Sequence, residues 1–327
     1  MSVRVKIIAL IFMLYAPFTV RAATLLYLEA QAVGGYGSSG DSTGWYSQNS
    51  DDAMQKPGLG FDLLHRISSD TGDVATLALQ ARIVYDEMED HDYQTQLYNA
   101  YARFNTPLGF LWAGHNRPAM GLSANLDSHA LLLPALPMKG YGYDRDWGAG
   151  YLYEFENTDI AMSLTTGSGM PLYPDGSHMA AARYSYGVLN RDNFNTGISG
   201  AWGSVYDTMG YEKMMEDPGS LRIMGADATF FWERFEARLE IMGGEKFHED
   251  FMALFGRFGV NFMEENRLKL EFQPVYIFRN SGDTVNLYTG ATLIALPELT
   301  LRCMYHYDRE ADDHRFVAQA YYYGKLI

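Results

Sequence analysis

Between Trp232 and Gly244 the chain reads WERFEARLEIMGG, and its middle splits by parity. Phe235, Ala237, Leu239 and Ile241 fall on one side of an extended chain, while Arg234, Glu236, Arg238 and Glu240 fall on the other. Successive strand side chains point to opposite faces, so this strand has one wall of oil and one of charge. The same alternation recurs in Leu77, Leu79, Ala81, Ile83 and Tyr85 against Thr76, Gln80 and Arg82, and again from Phe251 to Phe262. Helical spacing is scarce. Only Ser128 to Leu136 is expected to hold one short turn, ended by Pro134 and Pro137.

Segments bounded by turn chemistry number roughly sixteen, from about 24–33 to about 315–325. Their connections alternate. Long or medium ones such as 34–56, 118–145, 166–177 and GEKFHED are each followed by tight ones such as SSDTGD, NTPLG, ENT and Glu233. An up-and-down antiparallel barrel produces this rhythm when one end carries short periplasmic turns and the other longer external loops. Side chains can fill a barrel of about eight strands, whereas about sixteen leave an aqueous lumen. The polar wall must then line that lumen and the apolar wall must meet lipid. The opposite assignment would place two Arg and two Glu of one strand in hydrocarbon, where a midplane Arg costs roughly 2–4 kcal/mol. The fold class expected is all-β, a transmembrane up-and-down antiparallel β-barrel of about sixteen strands whose partners are outer-membrane lipids. Closure removes the strand edges that lipid would not tolerate.

The first residues fit export. Arg4 and Lys6 precede an apolar run from Ile7 to Val20, and Val20-Arg21-Ala22 supplies small residues at a signal-peptidase spacing. We expect residues 1–22 to be a cleaved signal peptide and 23–327 to be the barrel. About 14 apolar residues cover roughly 21 Å of a hydrocarbon core about 30 Å thick, too little for an anchor. The formal net charge of −15 argues against a nucleic-acid partner, and removing Arg4, Lys6 and Arg21 with the leader makes the remainder more acidic still. Cys303, the only cysteine, shares a strand face with Leu301 and Tyr305 and reads as a wall residue.

Aromatics near strand ends on the apolar parity, among them Tyr98, Phe104, Phe110, Trp112, Trp147, Trp202, Phe230, Trp232 and Tyr305, read as interfacial girdles. Residues 98–121, YNAYARFNTPLGFLWAGHNRPAMG, resemble a hairpin of Gram-negative porins. There a strand bearing A-Y leads through a Gly turn into one bearing L-x-x-G and a basic residue, just before the long third external loop. The resemblance implies a diffusion channel, a homotrimer or a monomer, whose third loop folds inward to narrow the bore. Here that loop, Pro118 to Arg145, lacks an acidic P-E-F-G-G tip and carries Asp127 and the apolar run Ala130 to Met138, and the chain ends on Ile327 where porins commonly end on Phe.

Placing strand middles at one height brings Asp62, Gln80, Arg183, Asp227, Arg238 and Arg257 together on the polar parity, with Glu236, Glu240 and Glu271 nearby. Arg82 on its strand, and Arg117 and Asp127 at the third loop, complete the pore-lining set. Opposed charges across a narrow aqueous bore tune which ions and small hydrophilic solutes pass. Two alternatives stay open: a hydrolase, and a plugged structural or adhesive barrel suggested by the apolar third loop. Gly40-Asp41-Ser42-Thr43-Gly44 fits G-x-S-x-G, yet the nucleophile turn needs a following helix. DEMEDHDY and DREADDH lack the spaced glycine of a calcium loop, and no His-x3-His pair suggests zinc. No cofactor, metal or catalysis is expected.

Overall fold

The structure, a computed structural model, describes residues 21–45, 55–70, 72–86 and 93–327. Among these, sixteen long strands form the wall. The first eight are β1 (Arg21–Gly37), β2 (Gly58–Ser69), β3 (Gly72–Tyr85), β4 (Tyr93–Thr106), β5 (Gly109–Asn116), β6 (Asp146–Glu154), β7 (Thr158–Thr165) and β8 (His178–Tyr186). The rest are β9 (Phe194–Val205), β10 (Gly219–Trp232), β11 (Phe235–Lys246), β12 (Glu249–Phe262), β13 (Leu268–Arg279), β14 (Thr284–Leu296), β15 (Leu299–Asp308) and β16 (Asp313–Lys325). Each pairs antiparallel with its sequence neighbours, and β1 also pairs with β16, so the sheet closes. β1 meets β2 from Arg21↔Ser68 to Gln31↔Gly58 but meets β16 from Tyr27↔Lys325 to Gly37↔Arg315. That offset along one strand is the stagger a tilted barrel requires.

The parity of the opening stretch survives intact. Phe235, Leu239 and Ile241 are exposed on the outer face, whereas Glu240 is buried inside. Met224 (77 % exposed), Trp232 (72 %) and Ile198 (63 %) extend the outer belt around the wall. An apolar surface this continuous needs a non-aqueous neighbour. Cys303 lies on the outer parity beside exposed Leu301 and Tyr305, as expected.

Four expectations are corrected. Tyr98 does not join the girdle: it is buried and turns inward, because the β3–β4 ladder shifts between Gln80 and Ala81 and leaves Tyr98 as an extra, bulged residue. Phe110 and Trp112 also face inward, opposite Asn105 and Arg103, with the Arg103 guanidinium 5.3 Å from the Phe110 ring. The medium link expected at GEKFHED contracts to Phe247 and His248, both at positive φ (53° and 65°), the backbone of a tight hairpin turn. The links after β13 and β15 are short as well, so the long loops all precede β10. The helical turn expected within Ser128–Leu136 does not form there; short 3-10 turns stand on either side, at Leu122–Ala124 and at Leu136–Lys139, the second with Pro at its start.

The leader lies outside the described residues except for Arg21 and Ala22, which open β1. Most of DEMEDHDY lies outside them too. The Gly40–Gly44 motif occupies a turn and a three-residue strand, Ser42–Gly44, folded back on β1.

A third loop docked inside the barrel

Residues 117–145, between β5 and β6, do not stand off the rim but enter the barrel. Ala119 N–H donates to Ser163 Oγ on β7 (3.0 Å), Gly121 N–H to Ser199 Oγ on β9 (3.1 Å) and Leu122 N–H to Glu240 Oε1 on β11 (2.9 Å). Gly121 has φ +52°, and a Cβ there would collide with Glu240 Oε1, so only glycine permits this approach. The loop next reaches the β1 wall, where His129 Nε2 lies 2.7 Å from Glu29 Oε1. It then returns to β12–β14. Arg257 Nη2 donates to Leu133 O (2.7 Å), Gln273 Nε2 donates to Pro134 O (2.8 Å), and Leu133 packs directly over Gly290.

The apolar run is the reason for that return. Leu132, Leu133 and Leu136 are buried in one cluster with inward-facing Ile223, Met242, Phe255, Ile277 and Met304. The inner wall on this side is therefore not polar throughout, and each such side chain withdrawn from water contributes about 1.5–3 kcal/mol. Tyr141 stacks at 4.6 Å on Phe251, and Tyr143 OH donates to Gly167 O (3.0 Å) and Tyr206 O (2.5 Å), fixing the loop's return to β6. Burial, helped by nearby Asp146 and Asp207, pushes the Tyr143 phenol well up, so it stays a donor.

Where the loop crosses open space it carries charge. Asp127 pairs with Arg117 Nη2 (2.6 Å) and Arg145 Nη2 (3.4 Å) and accepts the His129 N–H (3.1 Å). Arg145 lies 4.3 Å over the Tyr98 ring, and Tyr98 OH donates to Asp144 Oδ2 (2.7 Å). The Asp127 side chain keeps 55 % of its surface and Arg117 keeps 24 %, whereas Arg145 is sealed. Burial pushes the Asp127 carboxyl up, but Arg117 and Arg145, with His129, outweigh it and hold the group below its ordinary range.

The nine residues expected to line the pore fall into two groups by their surroundings. Asp62 faces the bore and accepts Tyr323 OH (2.7 Å). Arg238 pairs with Glu236 (2.5 Å), which Lys269 also bonds (2.9 Å) while reaching Glu271 (2.9 Å). With Arg117 and Asp127 these keep contact with the lumen. Gln80, Arg82, Arg183, Asp227 and Arg257 are instead buried struts. Gln80 and Arg82 bond Glu29 (3.1 and 3.4 Å), Arg183 grips Asp227 through two bonds (2.6 and 3.0 Å), and Arg257 holds the loop's carbonyls. Parity fixes which way a side chain points, but not which loop will cover it. Sequence reasoning missed Glu29, His129 and Arg145. Glu29 was findable, since it sits between Leu28 and Ala30 on the polar parity of β1.

The sequence matches no family model and no curated relative. Solved structures of similar shape exist. The trimer form of OmpT, an outer membrane protein of Vibrio cholerae, aligns with TM-score 0.64 at 11 % identity over 92 % of this chain and 99 % of that one. OmpF of Salmonella typhi gives 0.63 at 12 % over 92 % and 97 %, and an anion-selective porin of Comamonas acidovorans gives 0.62 at 8 % over 94 % and 100 %. At such low identity the likeness is one of overall architecture. The chain therefore has the fold of these outer-membrane proteins, a closed sixteen-strand antiparallel β-barrel.

Proposed function

We propose that the protein is a passive channel of the bacterial outer membrane for ions and small hydrophilic solutes, narrowed by its third loop. The supporting observation is the pairing of an exposed apolar belt outside with a charged passage inside, at which Asp127 and Arg117 stay accessible. An apolar outside suits lipid, and opposed accessible charges at a constriction suit ion discrimination. The reading assigns no reaction and no cofactor. It includes a leader cleaved after Ala22 and assembly as a homotrimer, in line with the trimer form of the Vibrio cholerae protein.

A second reading, a sealed structural barrel, draws on the loop's apolar run seated on an apolar inner wall. Planar-bilayer reconstitution separates the two. Discrete conductance steps, with ion selectivity shifted by Asp127→Asn, support the channel, while a silent barrel that conducts only after residues 130–138 are removed supports the seal.

A further inference from the structure

Residues 206–218 join β9 to β10 at the long-loop end. Within them Thr208–Met209 pairs with Glu212–Lys213, leaving Gly210 and Tyr211 as a two-residue tip. Gly210 has φ +59°, the left-handed backbone that the first central position of such a hairpin asks of glycine. The base of this finger is fixed from several sides. Met214 N–H donates to Asp207 O (2.8 Å), Lys246 Nζ to Asp207 Oδ1 (2.8 Å), Thr208 Oγ1 to Ser168 O (3.2 Å) and Tyr143 OH to Tyr206 O (2.5 Å).

The tip reaches a distant part of the wall. Tyr211 OH donates to Leu97 O on β4 (2.8 Å), although β5 to β8 separate β4 from β9, so the finger crosses the mouth as a chord. The bulge at Tyr98 accounts for the acceptor, since an extra residue leaves backbone groups outside the ladder. The Tyr211 ring packs against the cluster of Tyr98 from the wall and Met170 from the 166–177 loop, as Met138 of the third loop also does. Tyr98 is also the ring under Arg145 and the donor to Asp144, so the tip rests directly on the charged constriction. Burial pushes the Tyr211 phenol up, with Arg82 opposing, and the hydroxyl therefore remains a donor.

We infer that Tyr211 and its hairpin form a second, size-selecting element of the bore, stacked on the third-loop constriction, which a solute must clear before it meets Asp127. This inference rests on the channel reading and adds a different determinant: charge discrimination stays with Asp127 and Arg117, while bulk discrimination moves to the loop between β9 and β10.

Liposome swelling with arabinose, glucose, sucrose and raffinose tests it on the full chain. Replacing residues 208–213 by two glycines should raise the raffinose-to-arabinose uptake ratio several-fold with little change for arabinose. Tyr211→Ala should give part of that rise and guard against misfolding of the deletion. Tyr211→Phe, which keeps the ring and removes the bond, should shift the docked-to-free ratio of the finger by roughly five-fold, the size expected for one hydrogen bond. Asp127→Asn should leave the size ratio unaltered and move only the ion preference. Unchanged ratios in folded, arabinose-permeable variants would overturn the inference and leave the channel standing. If neither the natural protein nor any variant admits arabinose, the channel reading itself falls, and this inference with it.

Discussion

The third loop is held by two walls of opposite character. Toward β10–β14 it is seated by oil, with Leu132, Leu133 and Leu136 against Ile223, Met242, Phe255 and Ile277, and the polar contacts there include Arg257 and Gln273 donating to main-chain carbonyls and Leu122 N–H donating to Glu240. Toward β1–β4 it is held by charge, through His129 on Glu29, Arg82 and Gln80 behind it, and Arg145 over Tyr98. The apolar side tolerates sliding, since dispersion is non-directional, while the charged side fixes one register. One wall supplies adhesion and the other position.

The largest break should come from the apolar side. Leu132→Asp puts a carboxylate without a partner into that cluster, and we expect the loop to leave the wall, with hydrogen exchange at 130–138 accelerated and open-channel current made noisy. Quiet current and protected amides would show that the charged side suffices alone. Arg82→Ala comes second. Breaking a buried pair costs about 3–5 kcal/mol, here toward the low end because His129 and Gln80 still serve Glu29. Exchange should rise around Asp127–His129 rather than at 130–138, and Glu29→Gln in the same chain should restore most of the loss. An equal rise in both segments would mean the two anchorages act as one unit.

The smallest effect sharpens the comparison by pH. The Asp127 carboxyl is held below its ordinary range by its cations, so its pairing is complete above the unfolded value of about 3.9 and is lost only as pH falls through the lower folded value. Reversal potentials under a salt gradient should stay steady down to about pH 3.9 and then drift toward anion preference as Arg117 loses its partner. Asp127→Asn should show that preference at neutral pH. A drift beginning well above pH 3.9 would show that Arg117 and Arg145 do not govern the group.

Most of the wall was readable because strand parity and turn chemistry are local properties. Arg234 to Glu240, and the alternation of Met252 and Leu254 with Ala253 and Phe255, needed no partner to be assigned a face. Tyr98 failed for a local reason of another kind: one inserted residue reverses parity, and nothing in YNAYARF marks where the insertion falls. The loop 117–145 was legible in its length and its apolar run but not in its seat. That seat is assembled from single residues on β1, β7, β9 and β11–β14, each unremarkable in its own strand. The buried state of Arg183, Arg257 and Arg82 follows from the same cause, since what covers them arrives from far along the chain.

The seam between β1 and β16 joins residues almost three hundred positions apart, from Tyr27↔Lys325 to Gly37↔Arg315. During synthesis the first strand is made early and has to wait for the last with a row of amides unspent, a template for pairing with other chains. Assembly of so non-local a ring is slow by nature, and its rate is set by the meeting of the two ends. Until that meeting, the unpaired edge of the first strand stays open to mispairing.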